Sequence, residues 1–314
     1  MITAADVNAA CREGHGFVIR KNMPNRVHLL ATVLSNGGGG EMTEVDQPPP
    51  GVDLSRPSPA RLYDYYLGGR NNFQVDRDAA AMIMKVVPEL RDIAWANRGF
   101  HQRSARWIAE RGVRQFIDIG GGLSTVGNTH EVVHKVLPDA RVAYLDNDPM
   151  VLAHARSLTN LTANTRVIQA DARYPDDVLQ DPELCGLIDF SEPVGFLMTA
   201  VLTFATGGDP WRLLARYLAA LASGSYLALS HMTADNKPPL AVRAFLDVYG
   251  NTIRSGCFCS KEEVERCFDG LELVAPYVGA TPALCYAGEW GAEDPALADS
   301  EGSRWLWCGV ARRP

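Results

Sequence analysis

No apolar run in the 314 residues reaches the length that crosses a bilayer. The longest, PVGFLMTAVLTFA (193–205), reads as a buried strand. Basic patches are missing too. The 30 Lys and Arg stand against 37 Asp and Glu, the formal net charge is −7, and no run of cations stands out. Nucleic acid and an anionic membrane are therefore disfavoured as main partners. The seven cysteines are scattered and odd in number, with no secretory signal, so reduced thiols in a cytoplasm are expected. Cys257, Cys259 and Cys267 come nearest to a cluster. Their C-x-C-x7-C spacing lacks the paired knuckles of a zinc site, so buried free thiols are expected, and no metal. What is present, 46% hydrophobic and 21% charged residues, is ordinary for a globular protein. The length suits one large domain or two small ones.

Residues 1–41 differ from the rest and end in SNGGGGEM, where four glycines cannot support a helix or strand. Codons for this stretch form a purine-rich tract ahead of ATG, as a bacterial ribosome-binding site would. Met42 is thus expected to be the natural start, with 1–41 translated upstream sequence; a disordered arm is the alternative. A peptide from within 1–41 in the native protein, found by mass spectrometry, would contradict that start.

Residues 42–112 read as a helical N-terminal extension. Ser58 can cap a helix with Pro59 at its first position, running to Leu67 and ended by Gly68 and Gly69. Asp76 is expected to open the next helix, and Pro88 a longer amphipathic one. On the latter, Ile93, Ala96, Phe100, Trp107 and Ile108 share roughly one face, and Gly112 stops it. From 113 to 314 strands and helices alternate. RQFIDI (114–119), RVAYLD (141–146), RVIQAD (166–171), part of PVGFLMTAVLTF and SYLALSH (225–231) read as strands, separated by helices near 125–137, 149–158 and 209–221. A helix at 238–250 and a Ser260–Glu263 capping box follow, and LELVAPYV (271–278) and RWLWCGVA (304–311) close the chain as two strands. The expected fold is α/β, a doubly wound, mostly parallel, seven-stranded sheet with a C-terminal antiparallel hairpin.

The first strand leads into FIDIGGGLSTVGNTHE (116–131). A dinucleotide fingerprint G-x-G-x-x-G starting at Gly120 fails at Thr125, and no Lys follows for a phosphate-cradling loop. What is present is D-x-G-x-G, Asp118 to Gly122. A carboxylate at the strand end repels a pyrophosphate but suits a ligand with an ammonium group, such as S-adenosylmethionine (SAM). The glycines let the backbone pass close to it. Asp146 ends the second strand, where it can accept from both ribose hydroxyls. Asp171 ends the third, where it can accept from an adenine amine. A lone aspartate there is usually a loop cap; three ending consecutive strands make a constellation.

The order D-x-G-x-G, YLDNDPMVLAHAR, QAD resembles class I (Rossmann-like) SAM-dependent methyltransferases. More closely, SRPSPARLYDYYLGGRNNF, ANRGFHQRSARWIAERGVRQFIDIGGGLSTVGNTHEV and GSYLALSH resemble a family of bacterial S-adenosyl methyltransferases, formerly a domain of unknown function, over about Met42 to near the C-terminus. The resemblance implies the class I fold and SAM contacts at Asp118, Gly120, Gly122, Asp146 and Asp171, with Asn147 and Ala172 beside the last two. NRGFHQRSARWIAERGVRQ also resembles leucine carboxyl methyltransferases, in which a helix arginine pairs with the SAM carboxylate; Arg98 matches it, aided by Asn97. Two departures stand out: Ser124 replaces the third glycine, and Thr203 stands where relatives lead one to expect histidine.

Methyl transfer from a sulfonium starts from an activated donor, so a base is needed only for a nucleophile that holds its proton. Candidate catalytic residues are His231, at the end of the fifth strand, and Tyr65; His130, Tyr63 and Tyr66 are further candidates, each also readable as packing. Segment 57–73 reads as a lid hinged at Gly68–Gly69, with Asn71, Asn72 and Phe73 closing over SAM and substrate and with Tyr63 and Asn72 as candidate donor contacts; a packed helix–turn–helix is the alternative. The expected activity is methyl transfer to a small-molecule acceptor at oxygen or nitrogen. The alternatives are a SAM-binding protein with intramolecular displacement at the sulfonium, or a SAM sensor without turnover. Whether the chain forms a homodimer is left open.

Overall fold

The computed structural model describes residues 52–122, 127–153, 163–204, 210–250 and 258–314. The expectations for 1–41 and Met42, for Ser124 and Thr125, for the later part of the 149–158 helix and for Cys257 lie outside the described residues.

Three helices lead in: α1 (Pro59–Tyr66), α2 (Gln74–Met84) and α3 (Leu90–Ala109). The sheet-forming part runs β1 (Gln115–Ile119), α4 (Thr129–Val133), β2 (Arg141–Asp146), β3 (Thr165–Gln169), α5 (Pro175–Leu179), α6 (Pro182–Leu187) and β4 (Gly195–Thr199). It continues with α7 (Pro210–Ala220), β5 (Tyr226–Met232), α8 (Pro239–Gly250), α9 (Lys261–Glu265), β6 (Glu272–Leu273), β7 (Cys285–Tyr286), α10 (Pro295–Ala298) and β8 (Leu306–Arg312). Residues 149–153 are helical as well. No helix among the described residues is long and apolar enough to cross a membrane.

The strand order is β3-β2-β1-β4-β5-β8-β6, with β7 also on β8. β1 to β5 are parallel, and β8 returns antiparallel along all of β5. The sheet thus has the doubly wound, Rossmann-like form, with eight strands among the described residues rather than seven. The expected antiparallel pairing of 271–278 with the last strand is present but short, Glu272 of β6 facing Arg312. A further short strand between them in the chain, β7, also pairs with the outer edge of β8, Cys285 facing Cys308. Pro276 follows β6 closely and lacks the N–H that would continue a ladder.

Alternating side chains divide the core into two faces. Phe116, Tyr144, Leu197 and Ala228 pack on the face that α3 covers, with Phe100, Ala105 and Ile108. Ile117, Leu145, Met198 and Leu229 pack on the other face with Leu214 and Tyr217 of α7. The same parity sends Asp118, Thr199 and Ser230 toward α3.

The lead-in is tied by Asp76, which does not open α2 as expected. Phe73 is the N-cap, and Asp76 sits in the first turn, fully buried. Its carboxylate accepts from the amides of Ser58 (3.0 Å) and Phe73 (2.9 Å) and from Arg61 Nε (2.8 Å). Ser58 does stand at the N-cap of α1, but its hydroxyl donates to Asp148 at 2.5 Å rather than to the helix.

Candidate active site

Chain connections leave β1 and β4 in opposite directions, which opens a crevice at their carboxyl ends. A cleft of about 690 Å³ lies there. Ile119–Gly122, Leu145–Asp148, Ala170–Tyr174 and Thr199–Val201 line it from the strand ends, with Asn97, Arg98 and His101 of α3 and Pro59, Ala60 and Tyr63 of α1. Gly120 and Gly122 hold φ of +64° and +67°, where a side chain is disfavoured. A Cβ on Gly120 would also stand 2.6 Å from a methyl of Val201. Ala200 holds φ +59° without being glycine, a strain of about 1–2 kcal/mol that marks the end of β4.

Asp146 lines the cleft as expected, its carboxylate accepting from the amides of Asp148 (2.9 Å) and Gly122 (3.4 Å). Burial pushes its carboxyl up to about 6. Asn147 and Ala172 line the cleft as well. Asp118 behaves differently. Parity turns it under the glycine turn, toward α3, and it does not line the cleft. Its Oδ2 accepts from Thr129 Oγ1 at 2.6 Å, while Oδ1 is buried with no hydrogen-bond partner. Burial pushes Asp118 up to about 7, outweighing the Thr129 bond and the Arg98 charge. Direct contact between Asp118 and a ligand ammonium is thus corrected to a place beneath the turn. Asp171 lines the cleft, but its carboxylate is engaged by the guanidinium of Arg173 (2.5 Å) and by the Arg173 amide (3.0 Å), which hold it below the usual carboxylate range. Its expected role toward an adenine amine is therefore contested by a neighbour.

On α3, residues 97, 98 and 101 fall on one face, at i, i+1 and i+4. Arg98 lines the cleft, donating to the Gly127 carbonyl (3.0 Å) and Asn128 Oδ1 (3.3 Å). His101, which sequence reasoning missed, lies between Thr199 Oγ1 (3.0 Å) and Thr129 Oγ1 (2.7 Å). Burial and the Arg98 charge hold it well below the usual imidazole range, so its 3.5 Å approach to Asp118 is no ion pair at neutral pH. With Thr129 donating to Asp118, His101 Nε2 donates to Thr129 and Nδ1 accepts from Thr199. The signal was legible as N-R-x-x-H on an otherwise apolar helix face. Asn97 donates to the Tyr63 hydroxyl (3.1 Å) and accepts from Ser230 (2.5 Å).

Three expected site residues stand elsewhere. His231 is fully buried on the sheet face opposite α3, its Nδ1 donating to the Met232 carbonyl (2.8 Å) and its Nε2 facing Cys259 Sγ (3.7 Å). It lines no cavity described, and its neighbour Ser230 is the residue that reaches the site side. Tyr65 packs under Arg91 (5.2 Å to the ring) and against Tyr66, away from the cleft. Asn72 donates to Asp64 (2.8 Å) and the Gly69 carbonyl (3.0 Å), and thereby fastens the Gly68–Gly69 turn. That turn packs as a helix–turn–helix, since a Cβ on Gly69 would meet the Asp64 carboxylate. His130 bonds Tyr144 (2.8 Å) and does not line the cleft. Cys259 and Cys267 are buried thiols outside any disulfide, and no group of His, Cys, Asp and Glu that could hold a metal occurs among the described residues.

A second, apolar chamber of about 70 Å³ adjoins the cleft, sharing Tyr63, Asn97, Ala200, Phe204 and Tyr249 with it. Thr203 lines this chamber, 3% exposed, with Oγ1 accepting from the Met232 amide (3.3 Å).

The residues present fit SAM. A cradle without Cβ atoms at Gly120–Gly122 faces a carboxylate with acceptors for ribose hydroxyls, Asp146. A guanidinium that suits an amino-acid carboxylate, Arg98, lines the same cleft, and an unpartnered carboxylate oxygen, Asp118 Oδ1, lies buried below.

Comparison with known proteins points the same way. A candidate methyltransferase from Thermobifida fusca YX is 38% identical, over 85% of this chain and 98% of its own, with a TM-score of 0.77. A DUF574 family protein from Streptomyces avermitilis MA-4680 is 34% identical, over 82% and 98%, with a TM-score of 0.75. No curated protein matches the chain. The family model described as S-adenosyl methyltransferase matches residues 45–314. All of the described residues, those of the glycine turn included, lie within that match: the chain belongs to the S-adenosyl methyltransferase family, and SAM is its cofactor.

Proposed function

We propose that the protein transfers the methyl group of SAM to a small-molecule acceptor bound in the chamber beside the cleft. The observation that carries this reading is the shared wall. Tyr63, Asn97, Ala200, Phe204 and Tyr249 belong both to the donor cleft and to an apolar recess that opens onto it and is too small for a folded partner. Bound SAM supplies an activated methyl group on a sulfonium. The chain's own part is to hold and orient. Arg98 and the glycine turn fix one end of the donor, Asp146 the ribose, and the strand-end loops the base. Asn97, pinned by Ser230 and Tyr63, fixes the wall between the two spaces. Positioning of this kind supplies much of the rate when the donor is already reactive. Incubation with SAM and a metabolite extract should release S-adenosylhomocysteine (SAH). Release of methylthioadenosine instead would assign intramolecular displacement, and release of neither would assign binding without turnover.

A further inference from the structure

The chamber's walls restrict its occupant. Six aromatic rings face it, from Tyr63, Tyr66, Phe204, Phe245, Tyr249 and Phe258. Phe245 stacks near Tyr249 (6.1 Å between centroids) and edge-on to Phe258 (5.8 Å), so these three rings form one packed group. A recess of about 70 Å³ that opens onto the cleft exceeds what one water needs, but is under half of the roughly 150 Å³ that holds benzene; it takes the inner part of a single ring whose remainder reaches the cleft, and excludes a polycycle. No cation or carboxylate lines the chamber among the described residues; its titratable side chains are the three tyrosines.

Each class of nucleophile meets these walls differently. A phenol or alcohol must lose a proton as it reacts. Burial raises Tyr63, Tyr66 and Tyr249, and their hydroxyls are already bonded, so none of them takes that proton. His101, on the donor side, has both ring nitrogens engaged by threonines. An aliphatic amine is charged at neutral pH and would shed its water against apolar walls. A carboxylate would be buried without a cation. An uncharged aromatic nitrogen enters without a charge to desolvate and reacts without a base; it becomes charged only on transfer, as a delocalised ring cation.

Resting on the methyl-transfer reading above, we infer that the acceptor is a single-ring aromatic compound with an uncharged, pyridine-type ring nitrogen, its ring seated in the chamber and its nitrogen at the shared wall. The nitrogen lone pair forms the new N–CH3 bond while the C–S bonding pair stays on sulfur. Sulfur becomes a neutral thioether and the positive charge passes to the ring. No proton moves, so no base is required. The resulting ring cation lies among aromatic faces, whose quadrupoles attract it.

A matched pair of probes tests this with the full-length protein: 4-ethylpyridine and 4-ethylphenol. Saturation-transfer NMR on the SAH-loaded protein reads binding, and SAH release with mass detection of the methylated ring reads turnover. Both rings should bind. Only 4-ethylpyridine should be methylated at a useful rate, about 100-fold or more faster than 4-ethylphenol, the usual contribution of a missing base. Phe258→Leu and Phe245→Leu should leave SAH affinity within twofold and weaken 4-ethylpyridine binding at least fivefold. Equal or faster methylation of the phenol overturns the inference. So does a bound pyridine that is not methylated, and so does failure of both rings to bind while SAH binds. Failure of SAH itself to bind would instead bring down the donor reading on which the inference rests.

Discussion

At the residue scale, two carboxyls, half-buried Asp146 and buried Asp118, make the site sensitive to pH. Asp146 is pushed up to about 6 by burial, and it accepts hydroxyls best when ionised. Acidification protonates it, so SAH affinity should be steady above pH 7 and should fall as pH drops through about 6. Asp146→Asn should weaken SAH binding at least tenfold at pH 8 and flatten that dependence; calorimetry across pH 5–8 reads both. A variant that keeps the wild-type profile would exclude Asp146 as the titrating acceptor. Asp118 acts on stability. Its carboxyl is raised to about 7 from an ordinary 3.8, so the folded state binds its proton more tightly than the unfolded state does. Its contribution is fully present below pH 4 and is lost as pH rises to 7. Asp118→Asn has no such loss, so its stability relative to wild type should improve from pH 4 to pH 8. Denaturant titrations at the two pH values check this; an unchanged difference would mean that Asp118 ionises normally. The misplacement of His231 is also a matter of single residues. Its position at the carboxyl end of a strand was legible, but the face was not, because a period of two turns every second side chain away from α3. Ser230, one residue earlier, bonds Asn97 instead.

At the element scale, the glycine turn, the strand ends and α3 were readable. Apolar runs ended by aspartate, with glycines after the first, carry that signal. The 57–73 segment was less readable, because its double glycine fits a hinge as well as a fastened turn. The side-chain bonds decide: Asp64 and Asn72 hold the turn, and Asp76 gathers Ser58, Arg61 and Phe73. The buried Arg61–Asp76 pair (2.8 Å) is therefore the joint between α1 and α2. Asp76→Ala leaves a buried guanidinium without its partner and should cost about 3–5 kcal/mol in urea unfolding. Because Ser58 also holds Asp148 on the cleft wall, the same variant should weaken SAH binding. A loss below about 1 kcal/mol would show that the joint carries little.

At the scale of the whole molecule, alternation of strands and helices made the doubly wound sheet legible, while its outer edge was legible only in part. β6 falls within the expected strand 271–278, but it and β7 are two residues each; β7 is too short for any pattern to register, and only β8 gives them partners. The apolar chamber was equally hidden. It is assembled from α1, α3, the end of β4, α8 and β8, and no local stretch of sequence announces it. Binding energy at the cleft should be felt by the whole fold. SAH at about a hundred times its Kd adds about 2.7 kcal/mol to stability, which should raise Tm by several degrees in a melting experiment. An unchanged Tm at saturating SAH would argue that the fold does not close on this ligand.

We propose that the Gly120–Gly122 turn holds SAM and not a dinucleotide. Isothermal titration of SAH and of NADH into the wild-type protein and into Gly120→Val tests it most directly. At φ +64°, with Val201 in the way, valine cannot be accommodated at position 120. The expected result is one SAH per chain in the wild type, no heat from NADH, and at least a hundredfold weaker SAH binding in Gly120→Val. NADH binding tighter than SAH, or SAH binding unchanged in the variant, would contradict the account.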